Sequence, residues 1–362
     1  MGQKLEERME IMGREERRRM TRRELAFGSA MAFAGVAASM IPEINALADD
    51  QKPKLILGSG SHKYECIHDW LVPPDDLLWG DTQGCTQDSK GRIYVTHTVN
   101  SKSKKGDAIA VFDSKGKFLN SWGERFRGGG HGIEIRKEGR HEFAYHCDTA
   151  HRQVVKTDLD GKVIWEKGVP QEPGVYKDNQ PFVPTNIAFS PNGDFYVADG
   201  YGSNYIHQYN LKGEWIRTWG GTGTEDGKFH TCHGIWADHR GKEPLLVVTD
   251  RESARIQFFD MDGKFVKKSS DGMRQPCYFD TRGDLLVVPD LKGVVTLLDG
   301  DNKVVEQLGD GYGMPELRGH PHSEYIPGKF IHPHGGKFLK NGDILVAEWL
   351  PDGRMTLLKR VK

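Results

Sequence analysis

Apolar residues in this chain come in short runs that suit strands, and the runs repeat. Ile93-Tyr-Val, Phe195-Tyr-Val-Ala, Leu245-Leu-Val-Val, Leu285-Leu-Val-Val and Ile344-Leu-Val-Ala follow turn glycines at Gly91, Gly193, Gly241, Gly283 and Gly342, and Gly139 marks a sixth such turn. Seven residues before each turn glycine stands an anchor: Gly84, Gly132, Asn186, Gly234, Pro276 and Gly335, spaced 42 to 59 residues apart. A short strand is predicted between each anchor and its turn, with the apolar run as the second strand. The second strands end on an acidic residue at Asp148, Asp199, Asp250, Asp290 and Glu348, where the backbone is expected to turn. A third strand follows, as in Ala108-Ile-Ala-Val-Phe and Arg255-Ile-Gln-Phe-Phe. A Gly-centred hairpin such as Met261-Asp-Gly then leads to a fourth, as in Lys117-Phe-Leu-Asn-Ser-Trp. Repeats of this size made only of strands mean a propeller, not a helical solenoid. The expected fold is all-β, a six-bladed β-propeller.

The last repeat stops after its third strand, Met355-Thr-Leu-Leu-Lys, which would leave an outer edge unpaired. Residues 53–72, around Lys63-Tyr-Glu-Cys-Ile-His-Asp-Trp, read as an outer strand that arrives before the first repeat. They are predicted to complete blade six and close the ring, giving a propeller over 49–362.

Composition narrows the function classes. Gly supplies 44 of 362 residues, well above the usual level of about 7%, which fits a fold built from turns. Lys+Arg (50) and Asp+Glu (51) balance to a net charge of −1, so the basic footprint of a nucleic-acid binder is missing and no nucleic-acid partner is expected. Cys66, Cys85, Cys147, Cys232 and Cys277 are odd in number and hold no CxxC pair, which argues against a disulfide framework or a zinc finger.

Residues 1–48 differ from the rest. Arg14, Arg17, Arg18, Arg19, Arg22 and Arg23 precede an uncharged apolar run ending near Met40, and Ala46-Leu47-Ala48 supplies a small-residue cleavage site. That order reads as an export signal, and Arg22-Arg23 resembles the pair of a twin-arginine (Tat) signal. The Tat export machinery is then a partner, and the mature chain is expected to be exported to the periplasm or outside the cell and to act as a monomer. Left uncleaved, the apolar run is close to the shortest spanning length and would anchor the chain in the membrane.

The residue just ahead of each anchor begins an innermost strand at the mouth of the central channel. In order these are Gln83, His131, Thr185, His233, Gln275 and His334. Every second blade offers a histidine, which puts three imidazoles at about 120° around the axis of a closed ring. Three histidines with an open fourth position are the ligand set of a catalytic zinc ion. His332, two residues before His334, is a rival ligand on the same face. His320 and His322 lie in a longer loop. Loops between second and third strands emerge on the same face, which places Tyr201 of blade three and Arg251 of blade four beside the centre. A phenol near a metal and a guanidinium can have its pKa lowered and act as a general base. Arg251 can grip a substrate carboxylate through two parallel hydrogen bonds. The plain structural alternatives are packing for Tyr201 and a salt bridge to Glu252 or Asp250 for Arg251.

Gly-Asp-Phe-Tyr-Val-Ala-Asp-Gly-Tyr, then Cys-His-Gly-Ile and Asp-Arg-Glu-Ser-Ala-Arg-Ile-Gln-Phe-Phe, resembles the lyase half of peptidylglycine α-amidating enzymes, six-bladed propellers of NHL-type repeats. The likeness covers about residues 80–360. It implies that His131, His233 and His334 are zinc ligands, Tyr201 the catalytic tyrosine and Arg251 an active-site arginine. It further implies a metal-dependent lyase that splits a peptidyl-α-hydroxyglycine into an amide and glyoxylate, acting on a small-molecule or peptide substrate with a carboxylate. Gly335 stands where that family has an Asp tied to a structural calcium, which argues against that ion here. Gly202 replaces a cysteine, which removes a disulfide. A further arginine of the family has no aligned counterpart, Arg125, Arg127 and Arg152 being the candidates. The alternatives are a non-catalytic NHL-propeller binding protein and a calcium-dependent lactonase-type hydrolase, the latter disfavoured by histidines where hard Ca²⁺ needs oxygen.

Overall fold

The computed structural model describes residues 53–177 and 180–361, so the leader expected at 1–48 lies outside the described residues. The described chain forms six antiparallel sheets in a ring, the expected six-bladed β-propeller. Blade one runs through Thr82–Gln87, Ile93–His97, Ile109–Phe112 and Phe118–Trp122. Blade two is Gly130–Glu138, His141–Asp148, Gln153–Thr157 and Val163–Lys167. Blade three is Asn186–Phe189, Phe195–Ala198, Tyr205–Tyr209 and Trp215–Gly220. Blade four is Cys232–Asp238, Leu245–Asp250, Arg255–Phe259 and Phe265–Ser269. Blade five is Asp280–Arg282, Leu285–Asp290, Val294–Leu298 and Val304–Leu308.

Blade six joins the two ends of the ring. Pro333–Phe338, Ile344–Glu348 and Arg354–Arg360 supply three strands, and Tyr64–Ile67 pairs antiparallel with the last of them, Tyr64 opposite Arg360. Sequence reasoning missed a fifth strand outside it, Ile56–Leu57, which pairs with Tyr64–Ile67.

The apolar runs face neighbouring blades, so the core is a set of wedges and not one centre. Val95, Phe112, Leu345 and Met355 fill the wedge between blades one and six. Tyr196, Ile206, Leu246 and Phe259 fill the one between blades three and four. Each wedge buries several large side chains, each worth about 1.5–3 kcal/mol, which explains why the second and third strands read as apolar on both faces.

Four of the five acidic strand ends share a task, Asp199 through the Val183 N–H, while Asp148 instead holds the His151 N–H of its own loop. Asp250 Oδ1 accepts from the His230 backbone N–H at 2.6 Å, Asp290 Oδ2 from the N–H groups of Arg274 and Gln275, and Glu348 Oε1 from that of Ile331. Each buried carboxylate thereby stitches a second strand to the segment that leads into its own innermost strand. In blade one His97 takes this position, its Nδ1 accepting from the Gly80 and Val99 N–H groups at 3.2 Å each. One expected turn differs: Gly241 lies in a longer connection between Asp238 and Leu245, where the Arg240 guanidinium fills the space by binding Asp238 and the Asp299 carbonyl. All five cysteines are buried and free.

Candidate metal centre

Three innermost strands slip register at the histidine. Pairing in blade two jumps from Gly130 opposite Asp148 to Ile133 opposite His146, in blade four from Cys232 opposite Asp250 to Ile235 opposite Val248, and in blade six from Pro333 opposite Glu348 to Gly335 opposite Ala347. A β-bulge of this kind re-aims a side chain, here toward the axis. Each histidine is followed by glycine because the next blade passes close by. A Cβ on Gly132, Gly234 or Gly335 would lie under 3.0 Å from the carbonyl oxygen of Thr185, Cys277 or Gln83 respectively.

Those carbonyls orient the rings. Nδ1–H of His131 donates to Thr185 O at 2.7 Å, that of His233 to Cys277 O at 3.0 Å, and that of His334 to Gln83 O at 2.8 Å. Every acceptor belongs to the following blade, so each blade contact fixes an imidazole in the tautomer that leaves Nε2 unprotonated. The three Nε2 lone pairs therefore converge. Ring centroids stand 4.7 to 5.0 Å apart, and the Nε2 atoms of His233 and His334 are 3.1 Å apart with no proton to share between them. Nitrogens bound to one zinc at about 2.0–2.1 Å and tetrahedral angles stand roughly 3.3 Å apart. The three ligand atoms lie within 4.8 Å of one another, and the donor set suits a cation such as zinc.

Electrostatics agree with ligation. Burial holds the His131 imidazole down at about 4, with the Arg251 cation adding to the depression, and it holds His233 and His334 well below the ordinary value. All three are neutral at physiological pH and ready to bind a metal without first losing a proton.

The Tyr201 loop is wound around a buried carboxylate. Asp199 accepts from the N–H groups of Val183 and Ser203 and from the Tyr176 hydroxyl, and a Cβ on Gly202 would collide with it. This presents Tyr201 to the centre: its hydroxyl donates to His233 Nε2 at 3.0 Å and lies 3.3 Å from His131 Nε2. Arg251 opens a short 3-10 turn, and its Nη1 donates to the Tyr201 hydroxyl at 3.1 Å. Its Nε donates to Glu252 at 3.0 Å, while Asp250 is taken by Arg255 instead. Nε and Nη1 are both engaged, so the Nε edge of Arg251 is not open to a second carboxylate.

The Tyr201 ring is 40% exposed, yet its hydroxyl points inward and is desolvated. Burial raises the Tyr201 phenol above its usual value and outweighs the opposing pull of Arg251. A cation held by the imidazoles would supply an acidifying charge.

The remaining candidates lie elsewhere. His332 donates from Nδ1 to Leu291 O at 2.7 Å and packs its ring against Trp349, outside the cluster. His320 pairs with Glu324, and His322 with Asp69 and Asp352. Arg125 is tied to Glu166 on the outer strand of blade two. Arg127 and Arg152 are exposed.

Two features below the imidazoles were not anticipated. Tyr278 of blade five reaches across the axis, its ring 5.3 to 6.1 Å from all three imidazoles and its hydroxyl donating to Thr185 O at 3.2 Å. Deeper still, Lys337 Nζ of blade six meets Glu134 of blade two at 3.1 Å and Asp280 of blade five at 3.2 Å, both carboxylates buried and the lysine half-buried. Blades two and six are not neighbours, so this contact spans the channel. Lys337 also sits over the Trp236 ring at 4.6 Å. The only advance signal was position: Glu134, Trp236 and Lys337 each follow a histidine by three residues.

Gly335 gives a direct check on the packing. Its Cβ would meet Gln83 O at 2.6 Å, so Gly335→Ala is expected to cost about 1–3 kcal/mol in chemical denaturation and to weaken metal uptake by displacing His334.

Fold and site define a six-bladed propeller with a three-histidine centre on its axis, flanked by a tyrosine and an arginine. No protein-family model matches the chain. It is similar to peptidyl-alpha-hydroxyglycine alpha-amidating lyase 1 of Drosophila melanogaster, 27% identical over 231 residues that cover 53% of this chain and 40% of that protein. It is also similar to peptidyl-glycine alpha-amidating monooxygenase B of Xenopus laevis, 31% identical over 228 residues, covering 55% of this chain and 25% of that protein. The resemblance read from the sequence is thus borne out at modest identity, and the chain spans less than half the length of these curated relatives. Among solved structures, a streptogramin B lyase aligns with a TM-score of 0.54 at 14% identity, covering 83% of this chain and 99% of that one. A virginiamycin B lyase from Staphylococcus aureus aligns at 0.51 and 15%, covering 82% and 100%. These two likenesses concern the fold alone.

Proposed function

We propose that the chain is an exported zinc-dependent carbon–nitrogen lyase that cleaves the carbinolamide of an N-acyl-α-hydroxyglycine or a close relative, releasing an amide and glyoxylate or a related acid. The observation that carries this reading is the convergence of three proton-free Nε2 atoms beside the hydroxyl of Tyr201. Zinc held by His131, His233 and His334 would acidify a hydroxyl placed against it. Arg251 binds the substrate carboxylate and orients the carbinol carbon. Tyr201, as phenolate, takes the hydroxyl proton; the oxygen's electron pair forms the new C=O, the C–N pair leaves with nitrogen, and the Tyr201 hydroxyl passes its proton to nitrogen, giving the amide and restoring the phenolate. Tyr278 closes the channel beneath and keeps water from the reacting carbon. Export rests on the twin-arginine-type leader, which precedes the described residues.

The test combines metal analysis with product detection. Purified protein is expected to hold one zinc per chain, to release glyoxylate from N-benzoyl-α-hydroxyglycine, and to lose that activity with a chelator and regain it with zinc. Zinc content unchanged in a His131/His233/His334 triple Ala variant would refute the metal centre, and metal-loaded protein that releases no glyoxylate would refute the lyase.

A further inference from the structure

Four innermost strands, not three, slip register just ahead of a glycine. The fourth is in blade one, where pairing steps from Thr82 opposite His97 to Gly84 opposite Thr96 and leaves Gln83 on the bulge. The step matches that of blade six, so Gln83 is turned out of its strand as His334 is. Its neighbours repeat the same motif: a Cβ on Gly84 would meet His131 O at 2.9 Å, and the Gln83 carbonyl receives His334 Nδ1–H. Gln83 therefore stands between the blades of His131 and His334, whereas Tyr201 stands between those of His131 and His233.

Of the six ring positions, three are imidazoles and two are spent on the scaffold. Thr185 Oγ1 donates to Ala198 O at 3.2 Å, and Gln275 Nε2 donates to Glu252 Oε2 at 3.0 Å, which steadies the carboxylate that holds Arg251. Gln83 differs. The residue is 5% exposed, and its Oε1 has no hydrogen-bond partner among the described residues. A buried amide oxygen without a donor is costly, and one carried on the same bulge as the ligands is placed to receive its donor from whatever occupies the centre.

We propose that Gln83 is a substrate-contacting residue whose Oε1 accepts a hydrogen bond from the N–H of the scissile amide. The proposal rests on the lyase reading and narrows its substrate class. The nitrogen that leaves must carry a hydrogen, so secondary N-acyl carbinolamides are accepted and their N-methyl counterparts are rejected. The bonds that change are those already given: the hydroxyl proton goes to Tyr201, the C–N pair to nitrogen, and the hydrogen held by Gln83 stays on nitrogen throughout. A site that hydrogen-bonds a substrate N–H rejects the analogue lacking it because the buried acceptor is then left unpaired.

The test uses two hydroxamate probes on cobalt-loaded full-length protein, followed by the visible spectrum of the metal. Benzohydroxamate presents an N–H and N-methylbenzohydroxamate does not. Wild type is expected to bind the first at least tenfold more tightly, and Gln83→Met, which keeps the length of the side chain, is expected to bring the two within twofold with metal content unchanged. Activity on N-benzoyl-α-hydroxyglycine is expected to fall tenfold or more in the same variant. A tenfold preference that survives in Gln83→Met overturns the proposal, as does a wild type that binds both probes equally. Glyoxylate release undiminished in Gln83→Met overturns the Gln83 contact and leaves the lyase standing. A Gln83-dependent preference in a wild type that releases no glyoxylate supports the contact and overturns the lyase.

Discussion

Tyr201→Phe is expected to lower turnover of an acyl-α-hydroxyglycine by about 10²–10⁴-fold, the span over which a positioned acid–base group acts, while leaving zinc content unchanged. The substitution removes one oxygen. The ring stays edge-on to His131 and His233, at centroid distances of 5.1 and 5.2 Å, and the Asp199 anchor of its loop is untouched. The imidazoles keep their backbone carbonyls and hence their tautomers. What disappears is the acceptor that faces both the guanidinium of Arg251 and the site of the hydroxyl proton. Glyoxylate release and zinc analysis on the same preparation check this. Turnover within threefold of wild type would remove Tyr201 from the chemistry, and lost zinc would mean the hydroxyl serves the metal instead.

Lys337→Met is expected to destabilise the protein by about 3–5 kcal/mol, because it strips the shared cation from two buried carboxylates. Glu134→Gln is expected to be mild by comparison. Two carboxylates face one ammonium, so one negative charge is in excess, and burial already pushes the Glu134 carboxyl up to about 7 against the pull of Lys337. Lys337 keeps its proton, its pKa raised by Asp280 and Glu134 against burial. The sign of the pH effect follows. A carboxyl whose folded pKa is raised contributes stability that is fully present below about 4.5 and is lost as pH climbs toward 7. Thermal unfolding of wild type is therefore expected to weaken across that window, and Glu134→Gln to flatten the slope. A Lys337→Met protein as stable as wild type in urea would show that the cluster is hydrated and not sealed in the channel.

Much of this arrangement was legible before any coordinates. The blades were readable because the turn glycines and the double-faced apolar strands recur at steady spacing, and wedge packing between blades demands both. The histidines were readable because a ring converts alternation in sequence into convergence in space. His332 and His334 could not be separated by spacing alone; the bulge at His334 decides between them by turning that residue inward and leaving His332 to Leu291 and Trp349. Tyr278 and the Lys337 cluster were hidden for a different reason. Their contacts reach across the ring, Tyr278 of blade five to Thr185 of blade three and Lys337 of blade six to Glu134 of blade two, and position three residues after a histidine marks Lys337 and Glu134 but not Tyr278. Ile56–Leu57 is too short a run to stand out from a loop. For Tyr201, proximity to a guanidinium is visible in a loop alignment and loss of hydration is not.

The seam in blade six sets an order of events. Tyr64–Ile67 is made before the first blade and its partner Arg354–Arg360 after the last innermost strand, so the circle stays open until the chain through Arg360 has been synthesised. Two of the imidazoles are in place well before the third, and the carbonyl that aligns His334 comes from blade one across that seam. Alignment of the third imidazole is thereby coupled to closure of the ring: without the seam of blade six, His334 would lack the carbonyl that orients it.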